Sequence, residues 1–133
     1  MSARGHLRSF VLGLAVWAAF FVAGLPDYYR QYPRSAMLAF CAAVTVGVVV
    51  AGFRMLRGVR SERRVARGAW LAFYFTIPLA ALDYLYCGLH LGHGWSFLGT
   101  YWYLTVFYAI PWLVFVPVAY GLARAARTPS RRE

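Results

Sequence analysis

The chain has 133 residues, of which 62% are hydrophobic and only 14% charged. A soluble domain is about half apolar and about a quarter charged, and a domain this small has too much surface per volume to hide the excess. That excludes a water-soluble globule and leaves lipid as the solvent. The formal charge of +10 comes from 14 arginines, which flank apolar runs and do not share a face with interleaved polar residues. They mark membrane topology, and no nucleic-acid partner is expected.

Four apolar runs follow in order along the chain. The first covers residues 9–25 and stops at Pro26-Asp27. The second covers 35–53 and stops at Arg54; the third covers 69–90; the fourth covers 97–123 and stops at Arg124. A hydrocarbon core about 30 Å thick needs about 20 helical residues, and all four runs approach or reach that length. The apolar residues are continuous and do not alternate with polar ones, which selects helices over the strands of a barrel. The expected fold is all-α: a single transmembrane domain over residues 1–133, built as a four-helix bundle. A basic loop at 54–68 and a basic tail at 124–133 complete it.

The arginines set the expected direction. Twelve of them (Arg4, Arg8, the six of the middle segment and the four of the C-terminal tail) fall on one side of such a bundle. Only Arg30 and Arg34 fall on the other. The positive-inside rule then places both termini in the cytoplasm and the protein in the plasma (inner) membrane as a multi-pass chain. Tyr28, Tyr29, Tyr32, Trp95, Tyr101 and Trp102 gather at the expected outer boundary, with Trp70 and Tyr120 near the inner one, as interfacial belts require. Arg4 and Arg8 before an apolar run also fit a secretory signal, with Val22-Ala23-Gly24 as its cleavage site. The run exceeds an h-region of about 7–15 residues, which favours a retained span.

Packing in lipid depends on small residues that let backbones approach. Ala15, Ala19 and Ala23 on the first helix, and Ala39, Ala43, Gly47 and Ala51 on the second, form two stripes at i, i+4 spacing. These are expected to pack on each other as a hairpin, or else to form a dimer interface. Pro78, Pro111 and Pro117 should kink the third and fourth helices. Cys41 and Cys87 lie in separate apolar runs without CxxC spacing and read as small buried apolar residues.

Asp83 is the one charge inside an apolar run. Such a residue costs at least about 2.5–3.5 kcal/mol on insertion scales, and usually faces the bundle interior. At i+3 and i+4 it shares a face with Thr76, Ala80, Tyr86, Cys87 and His90. Tyr101, Thr105 and Tyr108 form a second polar stripe on the fourth helix, at comparable depth. The candidate intramembrane binding site is therefore Asp83, Tyr86, His90, Tyr101, Thr105 and Tyr108. His90 and His93 would need a third ligand to hold a metal, so no metal and no other cofactor is expected. The outer loop from Pro26 to Arg34 reads as an interfacial turn with an Asp27–Arg30 contact.

Three function classes fit these features. The first is an accessory or lipid- or hydrophobic-ligand-binding membrane protein, supported by its aromatic outer face and few reactive groups. The second is a proton-coupled small transporter that uses Asp83. The third is an intramembrane enzyme on a lipid or isoprenoid, with Asp83, Tyr86 and His90 as acid–base groups. Small multidrug transporters also have four spans but carry their acidic residue in the first helix, whereas Asp83 is in the third. The expected partners are membrane lipids, with a protein partner or a homo-oligomer as the further alternatives.

Overall fold

The computed structural model describes residues 3–126, so Arg127, Arg131 and Arg132 of the expected tail lie outside the described residues. Four helical stretches are long and apolar enough to cross a membrane. Helix α1 covers Ala3–Ala23, and a single turn, α2, covers Pro26–Tyr29. Helix α3 covers Arg34–Arg57. The third stretch is built from α4 (Ser61–Tyr74), α5 (Ile77–Asp83) and a π-helical segment (Tyr84–His90). A 3₁₀ turn at Gly94–Ser96 and the short α6 (Phe97–Thr100) lead into α7 (Trp102–Ala125).

Local chemistry sets the boundaries. Pro26 fixes its own φ and holds Leu25 extended at ψ 156°, so α1 cannot run on into α2. Pro33, likewise extended, precedes α3. Pro78 has no N–H to offer the Tyr74 carbonyl, and the third stretch, expected to kink there, breaks between α4 and α5. The backbone reforms after Asp83 with wider i→i+5 bonding, seen in Leu91 N donating to Tyr86 O at 2.9 Å. It is then stopped by Gly92 and Gly94, whose φ values of 75° and 53° lie in the left-handed region that glycine adopts freely.

The basic segment 54–68 differs most from expectation, since only residues 58–60 interrupt its helices. Arg64 explains the tight turn. It is buried, and its guanidinium donates to Val59 O at 2.6 and 3.0 Å, to Arg57 O at 3.3 Å and to Leu122 O at 2.5 Å. One side chain thus satisfies end carbonyls of α3, the turn and α7, where a cation also complements the helix dipoles.

Helix α7 is the centre of the bundle, packed along α4 on one side and α3 on the other, while α1 leans on α4 and α5. The close approaches are made by glycines. A Cβ on Gly68 would sit 2.7 Å from Phe115 O, and one on Gly52 would sit 2.7 Å from the Phe115 ring. One on Gly13 would sit 2.6 Å from Tyr74 O, the carbonyl that Pro78 leaves without its helical donor. Leu56, Leu71, Ile110, Val114 and Phe115 fill the core toward the arginine-rich end. Met37, Cys41, Cys87, Phe97, Tyr101 and Tyr103 fill it toward the end that carries the two longer turns. Cys41 and Cys87 are both free and buried.

The expected hairpin of small-residue stripes is not formed. Ala15, Ala19, Ala23, Ala39, Ala43, Gly47 and Ala51 are all exposed, and nothing lies within 4 Å of a Cβ placed on Gly47. Helices α1 and α3 part because each finds a better glycine-mediated contact elsewhere: α1 on α4 and α3 on α7. Between them a cleft remains.

Candidate functional site

Two features meet in this cleft. One is a cavity of about 440 Å³ between α1 and α3, floored by α7. The other is Asp83, 7% exposed, on the cavity wall. Its Oδ1 accepts from Trp17 Nε1 at 2.8 Å, and its Oδ2 accepts from the Tyr108 hydroxyl at 2.6 Å. Asp83 therefore ties α1 and α7 to α5, with one donor on each oxygen. Thr76, seven residues earlier at the start of α5, donates to Tyr108 O at 3.1 Å and reinforces the α5–α7 side.

Of the residues expected around Asp83, the structure brings in Tyr108 alone. Thr105 is exposed and donates to Leu98 O at 2.7 Å. Tyr108, one helical step deeper, takes the place assigned to it. Tyr101 lies in the break before α7, with φ −111° and ψ 57°, and points at the loop end. Tyr86 and His90 stack on each other at 5.5 Å, and Tyr86 also meets the Phe21 edge at 5.1 Å. The π-helical segment is the reason: i→i+5 bonding rotates residues after Asp83 away from the i+3, i+4 face. His90 is exposed and does not bond Asp83.

Trp17 was missed from the sequence. An indole in a run of alanines and phenylalanines reads as lipid-facing, and only the register of α1 against α5 aims its N–H at Asp83. His6 was missed for a similar reason. It lies before the first apolar run but inside α1, where its Nδ1 is 3.0 Å from the Tyr74 hydroxyl and its ring meets Trp70 edge-on at 4.6 Å.

A second polar cluster occupies the loop end. The Tyr101 hydroxyl donates to Asp27 Oδ1 at 2.8 Å and lies 3.3 Å from His93 Nε2. Arg30 reaches the same Asp27 oxygen at 3.6 Å, as expected for this turn, and its guanidinium lies 5.7 Å from the Tyr101 ring centre. Tyr103 donates to Pro26 O from a buried position. Burial first, then the Asp27 hydrogen bond, push the Tyr101 hydroxyl up to about 12. Beside this cluster lies a second cavity of about 470 Å³, lined by Arg30, Arg34, Thr100 and Trp102 among others. Tyr29 and Tyr103, with ring centres 6.1 Å apart, line both cavities and form the partition between them.

Among the described residues, no group of three or more His, Cys, Asp or Glu is placed to hold a metal ion. Comparison with protein families, curated proteins and solved structures finds no match to this chain.

Proposed function

We propose that this chain is a multi-pass protein of the plasma (inner) membrane, with cytoplasmic termini, that holds a hydrophobic ligand in the cleft between α1 and α3. The observation that carries the reading is the cavity itself. Its size, about 440 Å³, falls within the range of about 300–1,000 Å³ typical of small-molecule sites. Its wall is aromatic and aliphatic, with Asp83 as the one carboxylate. Helices in lipid associate through close van der Waals contact, so a gap of this size between neighbouring spans calls for an apolar occupant.

Along α1 and just past its end the lining runs from Leu12 to Gly24, and along α3 from Phe40 to Met55. At 1.5 Å per residue these stretches are about 18 and about 22 Å long. Each is longer than one leaflet, about 15 Å, half the hydrocarbon core. A long flexible chain fits such a groove better than a compact ring system. In this reading Asp83 is a fixed tie between α1, α5 and α7 that keeps the groove open at a set width.

Native mass spectrometry of the protein extracted gently from its own membranes tests the proposal. The expected result is a stoichiometric hydrophobic molecule on the wild type that is lost in Gly47→Trp, which puts an indole into the cleft. A bare wild-type protein, or a bound molecule indifferent to Gly47→Trp, contradicts it.

A second reading, proton-coupled transport, draws on Asp83's position on the cleft wall. It requires that Asp83→Asn abolish uptake driven by a proton gradient in vesicles. The binding reading requires only that Asp83→Asn leave ligand occupancy intact, because Asn can still accept from Trp17 and donate to Tyr108.

A further inference from the structure

The two cavities share a wall, and they differ in chemistry. The cleft is almost wholly apolar; its neighbour across Tyr29 and Tyr103 carries Arg30 and Arg34. These are the two arginines on the side of the bundle that is otherwise free of them. Arg34 has no carboxylate partner among the described residues, and its guanidinium lies 5.8 Å from the Trp102 ring centre. Arg30 shares its charge with Asp27 at 3.6 Å, a half-exposed contact that leaves most of its donors unused. Two guanidiniums held by aromatic rings beside a long apolar groove are complementary to an amphiphile with a small anionic head.

Resting on the cleft reading above, we propose that the ligand is a lipid phosphate with one long apolar chain, of the polyprenyl phosphate class. Its phosphate is bound by Arg30 and Arg34, and its chain passes Tyr29 and Phe40 into the groove between α1 and α3. Among the described residues the cleft is a single groove, and along both helices it outruns the roughly 15 Å that one leaflet supplies. A two-chain phospholipid would leave its second chain unhoused, and its chains end at the bilayer midplane. A single chain longer than a leaflet fills the groove alone. The ring cluster of Phe20, Phe40 and Phe107, with centres 5.8–6.1 Å apart, crosses the groove near its mouth and offers flat faces to a branched, unsaturated chain.

The test titrates the full chain, in phosphatidylcholine nanodiscs, with a polyprenyl phosphate, the matching polyprenol and phosphatidylglycerol, and reads occupancy by native mass spectrometry. The wild type is expected to prefer the phosphate to the alcohol by roughly fivefold or more, since each exposed ion pair contributes up to about 1 kcal/mol. In the R30Q/R34Q double variant the phosphate should fall to the level of the alcohol, with alcohol binding unchanged. Equal binding of phosphate and alcohol to the wild type, or a preference that survives R30Q/R34Q, overturns the headgroup assignment and leaves the cleft reading standing. Phosphatidylglycerol competing as well as the polyprenyl phosphate overturns the single-chain assignment. Failure of both phosphate and alcohol to bind, or binding by a second copy of the chain in their place, overturns the cleft reading and this inference with it.

Discussion

Asp83 is held by two donors from two other helices, so its removal and its neutralisation should differ. Asp83→Leu strands the Trp17 indole N–H and the Tyr108 hydroxyl, while Asp83→Asn keeps a partner for each. Trp17→Phe removes one hydrogen bond to Asp83 and leaves a buried acceptor unsatisfied, which should lower unfolding stability in detergent by about 1–3 kcal/mol, with Asp83→Asn well below that loss. Equal effects of Asp83→Leu and Asp83→Asn in thermal melts would show that neither bond holds its helix to α5. Arg64 makes a parallel case at the opposite end: Arg64→Met leaves the Arg57, Val59 and Leu122 carbonyls without their donor. Arg64→Lys has one compact ammonium and cannot serve all three, so it should rescue only in part. Tyr101 supplies a pH signature. Its ionisation rises from an ordinary 10 to about 12 in the folded chain, so the fold binds the proton more tightly than the unfolded chain does. The stability this contributes is complete below pH 10 and is lost as pH rises toward 12. Alkaline unfolding of the wild type should be steeper through that window than that of Tyr101→Phe.

At the scale of the helices, three glycines matter and a longer series of small residues does not. Gly68→Ala drives a methyl group against Phe115 O and Ala119 and should cost about 1–3 kcal/mol. Gly47→Ala meets nothing and should stabilise α3 by about 0.5–1 kcal/mol through backbone entropy. Comparison of the two melts separates real helix contacts from mere periodicity. The four long apolar stretches were legible because length and unbroken apolarity sufficient to cross a membrane are properties of the sequence itself. Pairing of α1 with α3 was not legible, because spacing identifies a smooth face but not the face it meets. The i, i+4 stripes are exposed, and the contacts are made by Gly13, Gly52 and Gly68, isolated residues without a repeat. Asp83 was legible as the one acid inside an apolar run and Tyr108 as one of three hydroxyls on the facing stripe, although the depth match pointed to Thr105. Thr105 was assigned to the same site by its depth along the fourth run, and Tyr86 and His90 by counting at an α-helical period. That count fails where Pro78 and the π-helical segment change the turn. Trp17 could be placed only once the packing of α1 on α5 was known.

The whole molecule is a helical bundle with one incomplete seam. Three of its four long stretches close on one another around α7, α4 and α3, and α1 stands off α3 along most of its length. In the proposed topology the arginine-rich end faces the cytoplasm. A membrane-impermeant maleimide should therefore label Gln31→Cys in intact cells but Gly58→Cys only after permeabilisation, and the reverse order would invert the topology. The open seam is the main consequence of the fold, and in the proposed function a lipid chain fills it. Photo-crosslinking tests it most directly: the reconstituted chain is irradiated with a diazirine-bearing polyprenyl phosphate, and the adducts are mapped by peptide mass spectrometry. Adducts should concentrate on the cleft-facing residues Val16, Phe20, Val44 and Gly47 and disappear in Gly47→Trp. Adducts spread equally over outward residues such as Val65 and Leu113 would mean that the chain merely dissolves in lipid and that the cleft holds nothing.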